Sequence, residues 1–275
     1  MSAVIVKGRR IASEVLSELK TKIAKRSTPP RLDIFIVGID TAIESFVARK
    51  KASANKIGVT FKEHRFPKDT TQEELEAEVR TVVRNTDGIV IQLPLPKHLD
   101  TKKAIEAIPP ELDVDLLTEA GFRGFLDNTH NKEPPVGGAV REIIERHRVD
   151  MGGKKVLVIG KGHLVGLPVF EYFKRQNIAE LNIVDKSTGP FDFKRLVKEA
   201  DIIVSGTGVA GLIRKEMIKP GVVLLDAGTS GSSRTVEGDI SYDCAEKASV
   251  FSRTPGGIGT ITVAILFKNL VNSLH

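Results

Sequence analysis

Lys155-Val-Leu-Val-Ile-Gly160-Lys-Gly-His-Leu-Val-Gly166 is the stretch on which the reading of the fold turns. After Lys155 comes an apolar run, Val156–Ile159, of strand length, and glycines follow at once. Leu164 to Arg175 then carries a helical pattern. Glycines at a strand-to-helix junction let the backbone approach a pyrophosphate, which the first helical N–H groups and the helix dipole can hold. The spacing is GxGxxxG rather than GxGxxG, so the motif alone also fits a glycine-rich turn in any α/β protein. The next strand, Leu181–Val184, ends at Asp185, followed by Lys186, Ser187 and Thr188. At that strand end an acidic residue hydrogen-bonds the adenosine ribose and favours NAD, whereas cations favour NADP. The signal is mixed, and a solvated Asp at a strand end is the plain alternative.

The same alternation extends both ways. Downstream come strands at Ile202–Val204 and Val222–Leu225, a Pro255-Gly256-Gly257 turn and an apolar helix over Thr262–Leu274. Upstream, the spacing predicts helices over Ile11–Ala24, Ile43–Lys56 and Thr71–Arg84. Extended segments are expected at Leu32–Val37, Val59–Phe66 and Gly88–Leu93. Strands alternating with helices argue for parallel pairing. Residues 121–138, with Pro134-Pro135 and Gly137-Gly138, read as an irregular boundary, after which a helix spans Ala139–His147.

Composition excludes several classes. The 275 residues are 41% hydrophobic and 28% charged, an ordinary globular balance. The excess of 41 Lys+Arg over 35 Asp+Glu suits anionic small molecules, but aromatics are 5% with no Trp, which argues against a single-strand nucleic-acid binder. A single cysteine, Cys244, excludes an internal disulfide and a multi-cysteine metal cluster. No apolar run suits a signal peptide or a membrane span, so a cytoplasmic protein with no metal, membrane or nucleic-acid partner is expected.

Three places carry candidate chemistry. Phe46 and Lys50 are four apart on a predicted helix and so share a side, although Arg49-Lys50-Lys51 also fits a solvated charge run. Gln92, in Gln-Leu-Pro-Leu-Pro96, sits at the C-terminal end of a predicted parallel strand, where ligands of open sheets collect; a loop-capping amide is the alternative. Asp113 and Asp115 would point to one side of an extended segment, where either could accept hydrogen bonds from an amino-heterocycle, or both could be surface turn residues.

Taken in order, Phe46-x3-Lys50, Gln-Leu-Pro-Leu-Pro, Asp-Val-Asp, Gly-Lys-Gly-His-Leu-Val-Gly-Leu-Pro and Pro-Gly-Gly-Ile-Gly resemble the bifunctional methylenetetrahydrofolate dehydrogenase/cyclohydrolases (the FolD family) over essentially the whole chain. The resemblance implies an N-terminal α/β catalytic domain (1–136), a C-terminal Rossmann-type domain (137–257) and a last helix (258–275) returning to the first. It implies an active site in the cleft between the two, and a homodimer formed through the Rossmann domain. It makes Lys50 the catalytic lysine, Gln92 its hydrogen-bonded partner and Asp115 the carboxylate that anchors the pterin. Phe46 stands where a folate-stacking tyrosine is usual, and Pro255, Gly256 and Gly257 form the loop that closes over folate and nicotinamide. The cofactor, NADP with NAD as the alternative, would be held by Gly160, Lys161, Gly162, His163, Val165, Gly166, Asp185, Lys186, Ser187, Thr207 and Gly208. The implied reactions are oxidation of 5,10-methylenetetrahydrofolate and hydrolysis of the methenyl product to 10-formyltetrahydrofolate.

The chain also departs from the pattern. Phe46 lacks the tyrosine hydroxyl, Pro134-Pro-Val-Gly-Gly138 replaces a Pro-Cys-Thr-Pro loop, Gly162 replaces a serine, and Gly259-Thr-Ile-Thr262 lacks the usual proline and methionine. These keep two alternatives open: a dehydrogenase with weak or no cyclohydrolase, and a non-catalytic folate- or dinucleotide-binding regulator. A shikimate- or malate-type dehydrogenase lacks support from the Gln-Leu-Pro-Leu-Pro segment.

Overall fold

A computed structural model describes residues 3–232 and 235–274. In chain order it opens with β1 (Val4–Ile5) and α1 (Gly8–Ile23). It then alternates β2 (Arg31–Val37), α2 (Thr41–Ile57), β3 (Thr60–Phe66), α3 (Gln72–Val82) and β4 (Gly88–Ile91). Helices α4 (Thr101–Glu106), α5 (Glu119–Leu126) and α6 (Pro135–Arg146) follow. Alternation resumes with β5 (Lys155–Ile159), α7 (Gly166–Lys174), β6 (Glu180–Val184), α8 (Pro190–Glu199), β7 (Ile202–Ser205) and β8 (Val223–Asp226). The short strands β9 (Ser230–Ser232), β10 (Thr235–Glu237) and β11 (Val250–Ser252) lead to α9 (Ile258–Asn272).

Two compact units emerge. The first combines Ser13–Pro135 with residues 263–274; the second combines residues 3–12 with Val136–Thr262. In the first, β3-β2-β4 form a parallel sheet. Strand β2 is central and buried along nearly its whole length, as a near-continuous apolar run in a parallel sheet should be. Phe35, Val37, Leu75, Val79, Ile89 and Ile91 form its core with the inner face of α3. Thr71 starts α3 with a reciprocal capping box: its hydroxyl accepts from the Glu74 N–H, and the Glu74 side chain accepts from the Thr71 N–H. In the second unit the sheet order is β1-β11-β8-β7-β5-β6, with every pairing parallel. Leu157, Ile159, Ile203, Leu224 and Phe251 anchor its core.

The expected α/β class with two parallel sheets is what the chain forms, but boundaries differ in physical ways. The first twelve residues were expected with the catalytic domain, yet β1 pairs with β11, Val4 against Val250 and Ile5 against Phe251, in the second unit. Strands of two and three residues are too short to display a period, so neither was legible. The stretch 121–138, expected to be irregular, contains most of α5 and the start of α6. Within α5, Gly124 is a packing requirement, since a Cβ there would lie 2.6 Å from the His130 ring. Pro135 at the first position of α6 is compatible with helix, because that N–H has no intrahelical acceptor to lose. From α9, the buried Asn269 donates to the carbonyls of Val114 (2.8 Å) and Glu133 (2.7 Å) and accepts from the Glu133 N–H (3.0 Å).

Candidate active site

Helix α2 carries Lys50 inward. Of the cationic run, Arg49 lies over the Phe46 ring with its guanidinium carbon 5.0 Å from the centroid, and Lys51 pairs with Glu63 at 2.9 Å. Only Lys50 is turned in: its side chain is 11% exposed, and Nζ donates to Gln92 Oε1 at 2.9 Å. Gln92, just beyond β4, is itself buried, and its Nε2 donates to the Leu93 carbonyl at 2.9 Å. That second bond fixes the amide orientation, so Gln92 is both a capping amide and a partner of the lysine. The following Leu93–Pro94 peptide is cis. Asp115 Oδ2 lies 4.0 Å from Lys50 Nζ, long for a hydrogen bond and short enough for an ion pair. Burial pushes the Lys50 ammonium below its ordinary pKa and Asp115 pulls it back only in part. Desolvation is the cause of the lowering.

The expectation that Asp113 and Asp115 face one way does not hold. Asp113 is fully buried, accepts from the Thr118 N–H at 2.8 Å, and is pushed up by desolvation; Asp115 faces Lys50. The chain bends at Val114 and Asp115, so the extended segment stops at Asp113, and Leu116 beyond it is left-handed (φ 55°). Two residues that pattern-reading missed hold this segment. The Lys132 ammonium donates to the carbonyls of Pro110 (2.6 Å), Glu111 (3.1 Å) and Asp113 (2.9 Å), and Asn269 takes Val114. Neither side chain belongs to a periodic motif. Phe46 is 38% exposed, with one ring face under Arg49.

In the second unit the glycine loop has the tightness a diphosphate site needs. Gly160 has φ 102°, and a Cβ on Gly166 would fall 1.9 Å from the Gly160 carbonyl oxygen. Helix α7 therefore starts hard against the strand end, as in dinucleotide folds. Gly162, by contrast, is exposed and has open space around its Cβ position, so the loop geometry does not demand it. Val165 immediately precedes α7, while Lys161, His163, Lys186 and Ser187 lie on the surface. At the end of β6, Asp185 accepts from the Ser187 N–H (2.9 Å) and hydroxyl (2.5 Å) and pairs with Lys161 at 3.3 Å. These donors pull its carboxyl down to about 2. Strand β5 lies between β6 and β7, so the loop after β7, holding Thr207 and Gly208, edges the same switch point as the glycine loop. The Thr254–Pro255 peptide is cis, Pro255 and Gly256 are exposed, and the Gly256 carbonyl accepts from the Gly8 N–H at 3.1 Å.

One unit holds a buried lysine–amide couple, and the other holds a dinucleotide-type loop. Family models match both: the catalytic domain of tetrahydrofolate dehydrogenase/cyclohydrolase over residues 6–115, and its NAD(P)-binding domain over residues 134–275. The chain belongs to the tetrahydrofolate dehydrogenase/cyclohydrolase family. Among its relatives, the bifunctional protein FolD of Halothermothrix orenii is 33% identical, covering 98% of this chain and 97% of the relative. The bifunctional protein FolD of Mycoplasmopsis synoviae is 35% identical over 97% and 98%. The crystal structure of Trypanosoma brucei N5,N10-methylenetetrahydrofolate dehydrogenase-cyclohydrolase, complexed with NADP cofactor and inhibitor, superposes with a TM-score of 0.93 at 31% identity, covering 99% of this chain and 97% of that one. Membership makes the chain an enzyme, a tetrahydrofolate dehydrogenase/cyclohydrolase with an NAD(P)-binding domain. Among the described residues no helix is long and apolar enough to cross a membrane.

Proposed function

We propose that the chain oxidises 5,10-methylenetetrahydrofolate and then hydrolyses the methenyl product to 10-formyltetrahydrofolate, with Lys50 as the proton-transfer group of the second reaction. The observation that carries this is the desolvated Lys50 Nζ, 2.9 Å from Gln92 Oε1 and 4.0 Å from Asp115. Burial raises the neutral fraction of the amine near pH 7, which suits a general base. As water adds to the methenyl carbon, a C–O bond forms and one water proton passes to Nζ. The remaining hydroxyl then gives its proton to solvent as the C=O bond of the formyl group forms and the bond between that carbon and N5 breaks; the electron pair stays on N5, which takes the proton held on Nζ. Gln92, locked by its bond to Leu93, holds the donor in place. Asp115 accepts from the amino groups of the pterin, and the exposed face of Phe46 stacks on it.

Pro255, Gly256 and Gly257 close over the folate and the nicotinamide. NADP, or alternatively NAD, accepts the hydride when bound. The cradle between Gly160 and Gly166 fits a diphosphate, with Lys161, Gly162, His163, Val165, Asp185, Lys186, Ser187, Thr207 and Gly208 around it. The paired Lys161 and Asp185 offer both a cation for a 2′-phosphate and an acceptor for a 2′-hydroxyl. Hydride transfer asks chiefly for alignment and no strong base. A homodimer through the dinucleotide unit completes the reading on the strength of the family resemblance, and work in the cytoplasm without nucleic acid follows the expectation from composition.

The test is a pair of assays on Lys50→Met: decay of methenyl absorbance without dinucleotide, and reduction of each dinucleotide by the methylene substrate. Hydrolysis should fall by about 10²–10⁴ while oxidation falls far less. Equal losses in both would refute the assignment. The missing hydroxyl at Phe46 favours a second reading, a dehydrogenase alone; wild-type methenyl decay no faster than in buffer would establish it.

A further inference from the structure

We propose that Asp239, outside every motif described above, is a positioning residue of the dinucleotide site; this rests on the reading of the loop after β7 as one wall of that site. Its carboxylate is completely buried and gathers four donors from a single stretch of chain. Oδ2 accepts from the Ser205 hydroxyl (2.7 Å), the Thr207 N–H (2.6 Å) and the Thr207 hydroxyl (2.9 Å), and Oδ1 accepts from the Val209 N–H (3.0 Å). Ser205 is the last residue of β7, so the whole turn from strand end to Val209 is tied to one side chain.

That turn has little else to hold its outer end. Thr207, Gly208 and Val209 are exposed, Val209 by 52%, and Gly208 has φ 73°. Its inner end is packed against the glycine loop. A Cβ on Gly206 would lie 2.2 Å from the Val165 side chain, and a Cβ on Gly160 would lie 2.8 Å from the Gly206 carbonyl oxygen. A shift of the turn would therefore be felt at the cradle between Gly160 and Gly166. Asp239 is anchored in its turn by Asp226, the last residue of β8. Asp226 accepts from the N–H groups of Gly228 (3.0 Å), Asp239 (3.1 Å) and Ile240 (3.2 Å). The two buried carboxylates form a chain of backbone grips from β8 to the turn after β7.

Burying an ionised carboxylate is unfavourable unless its lone pairs are filled, and four donors fill them here. The arrangement spends that stabilisation on an exposed turn at a switch point, where ligands of open α/β sheets bind. The turn is thus ordered before a dinucleotide arrives, and less freedom is lost on binding.

The experiment is titration of full-length wild type, Asp239→Asn and Ser205→Ala with NADP+ and with NAD+ by calorimetry, at a temperature where circular dichroism shows each folded. Steady-state KM values for the dinucleotide and the folate are measured alongside. An amide at 239 cannot accept at the atom that becomes NH2, so the dinucleotide Kd and KM should rise roughly tenfold or more. The folate KM should move less than twofold. Ser205→Ala, which removes one donor, should shift Kd the same way by a smaller factor, and it decides the matter if Asp239→Asn does not fold. A lowered Tm with unchanged dinucleotide Kd in the folded variants would overturn the proposal and leave the functional reading standing. Wild type that binds neither dinucleotide would overturn both.

Discussion

Replacing Gln92 by Glu would put a carboxylate where the Lys50 ammonium now meets a neutral amide. The two side chains are isosteric, so apart from the loss of the amide donor that now binds the Leu93 carbonyl, charge is what changes. At 2.9 Å, with an effective dielectric of about 20, a pair of unit charges attracts by about 6 kcal/mol. Desolvation of the new carboxylate offsets much of that, and an upward shift of the Lys50 pKa is the expected net result. If the neutral amine takes a proton from water, the hydrolysis rate rises with pH through the Lys50 pKa. The variant should then be slower than wild type near pH 7 and recover at higher pH. The assay is methenyl decay followed across pH, with the buffer rate subtracted at each point. A rising limb at the wild-type position, in a variant that still binds folate, would show that Lys50 does not act as the base.

Other substitutions test the surrounding structure. Because burial depresses the Lys50 pKa, the unfolded chain holds a proton that the folded chain has released, between the folded value and 10.5. Stability should therefore rise with pH across that window in wild type, and Tm measured against pH should be flatter in Lys50→Met. Lys132→Met would strand three carbonyls around a buried site and should lower urea-derived stability by about 3 kcal/mol. It should weaken folate binding as well, since the Asp115 segment loses its clamp. Asp185→Ser would leave Lys161 without its carboxylate partner and should raise kcat/KM with NADP relative to NAD; an unchanged ratio would remove Asp185 from the ribose site. Thr71→Ala would delete one half of the α3 capping box and should cost about 1 kcal/mol, read from thermal unfolding.

Much of this was legible in the chain because its signals are local. The β5 strand, the glycine turn and α7 are consecutive, so period and glycine placement sufficed to find them. Lys50 was harder: on spacing it belonged with Arg49 and Lys51, and only its contact with Gln92, just beyond β4, separates the buried cation from the solvated ones. Asp113 and Asp115 show the limit of period-two reasoning, since the chain bends at Val114 and Asp115 and the extended geometry on which that reasoning depends stops at Asp113. Lys132, Asn269 and Asp239 were invisible for a different reason. Each is a lone polar residue whose side-chain partners lie 19 or more residues away, and most of those partners are backbone groups that carry no sequence signature.

The pairing of Val4 with Val250 has a consequence for how the protein is made. A chain emerging from the ribosome exposes the first edge strand long before its neighbour exists, so that hydrogen-bond ladder waits for almost the full length to be synthesised. The catalytic unit waits too, because Asn269 must arrive before the carbonyls of Val114 and Glu133 are satisfied. Neither unit matures from a contiguous early fragment, and such long-separation contacts are the ones that slow folding. Halves cut at residue 135 would each lack a piece carried by the other.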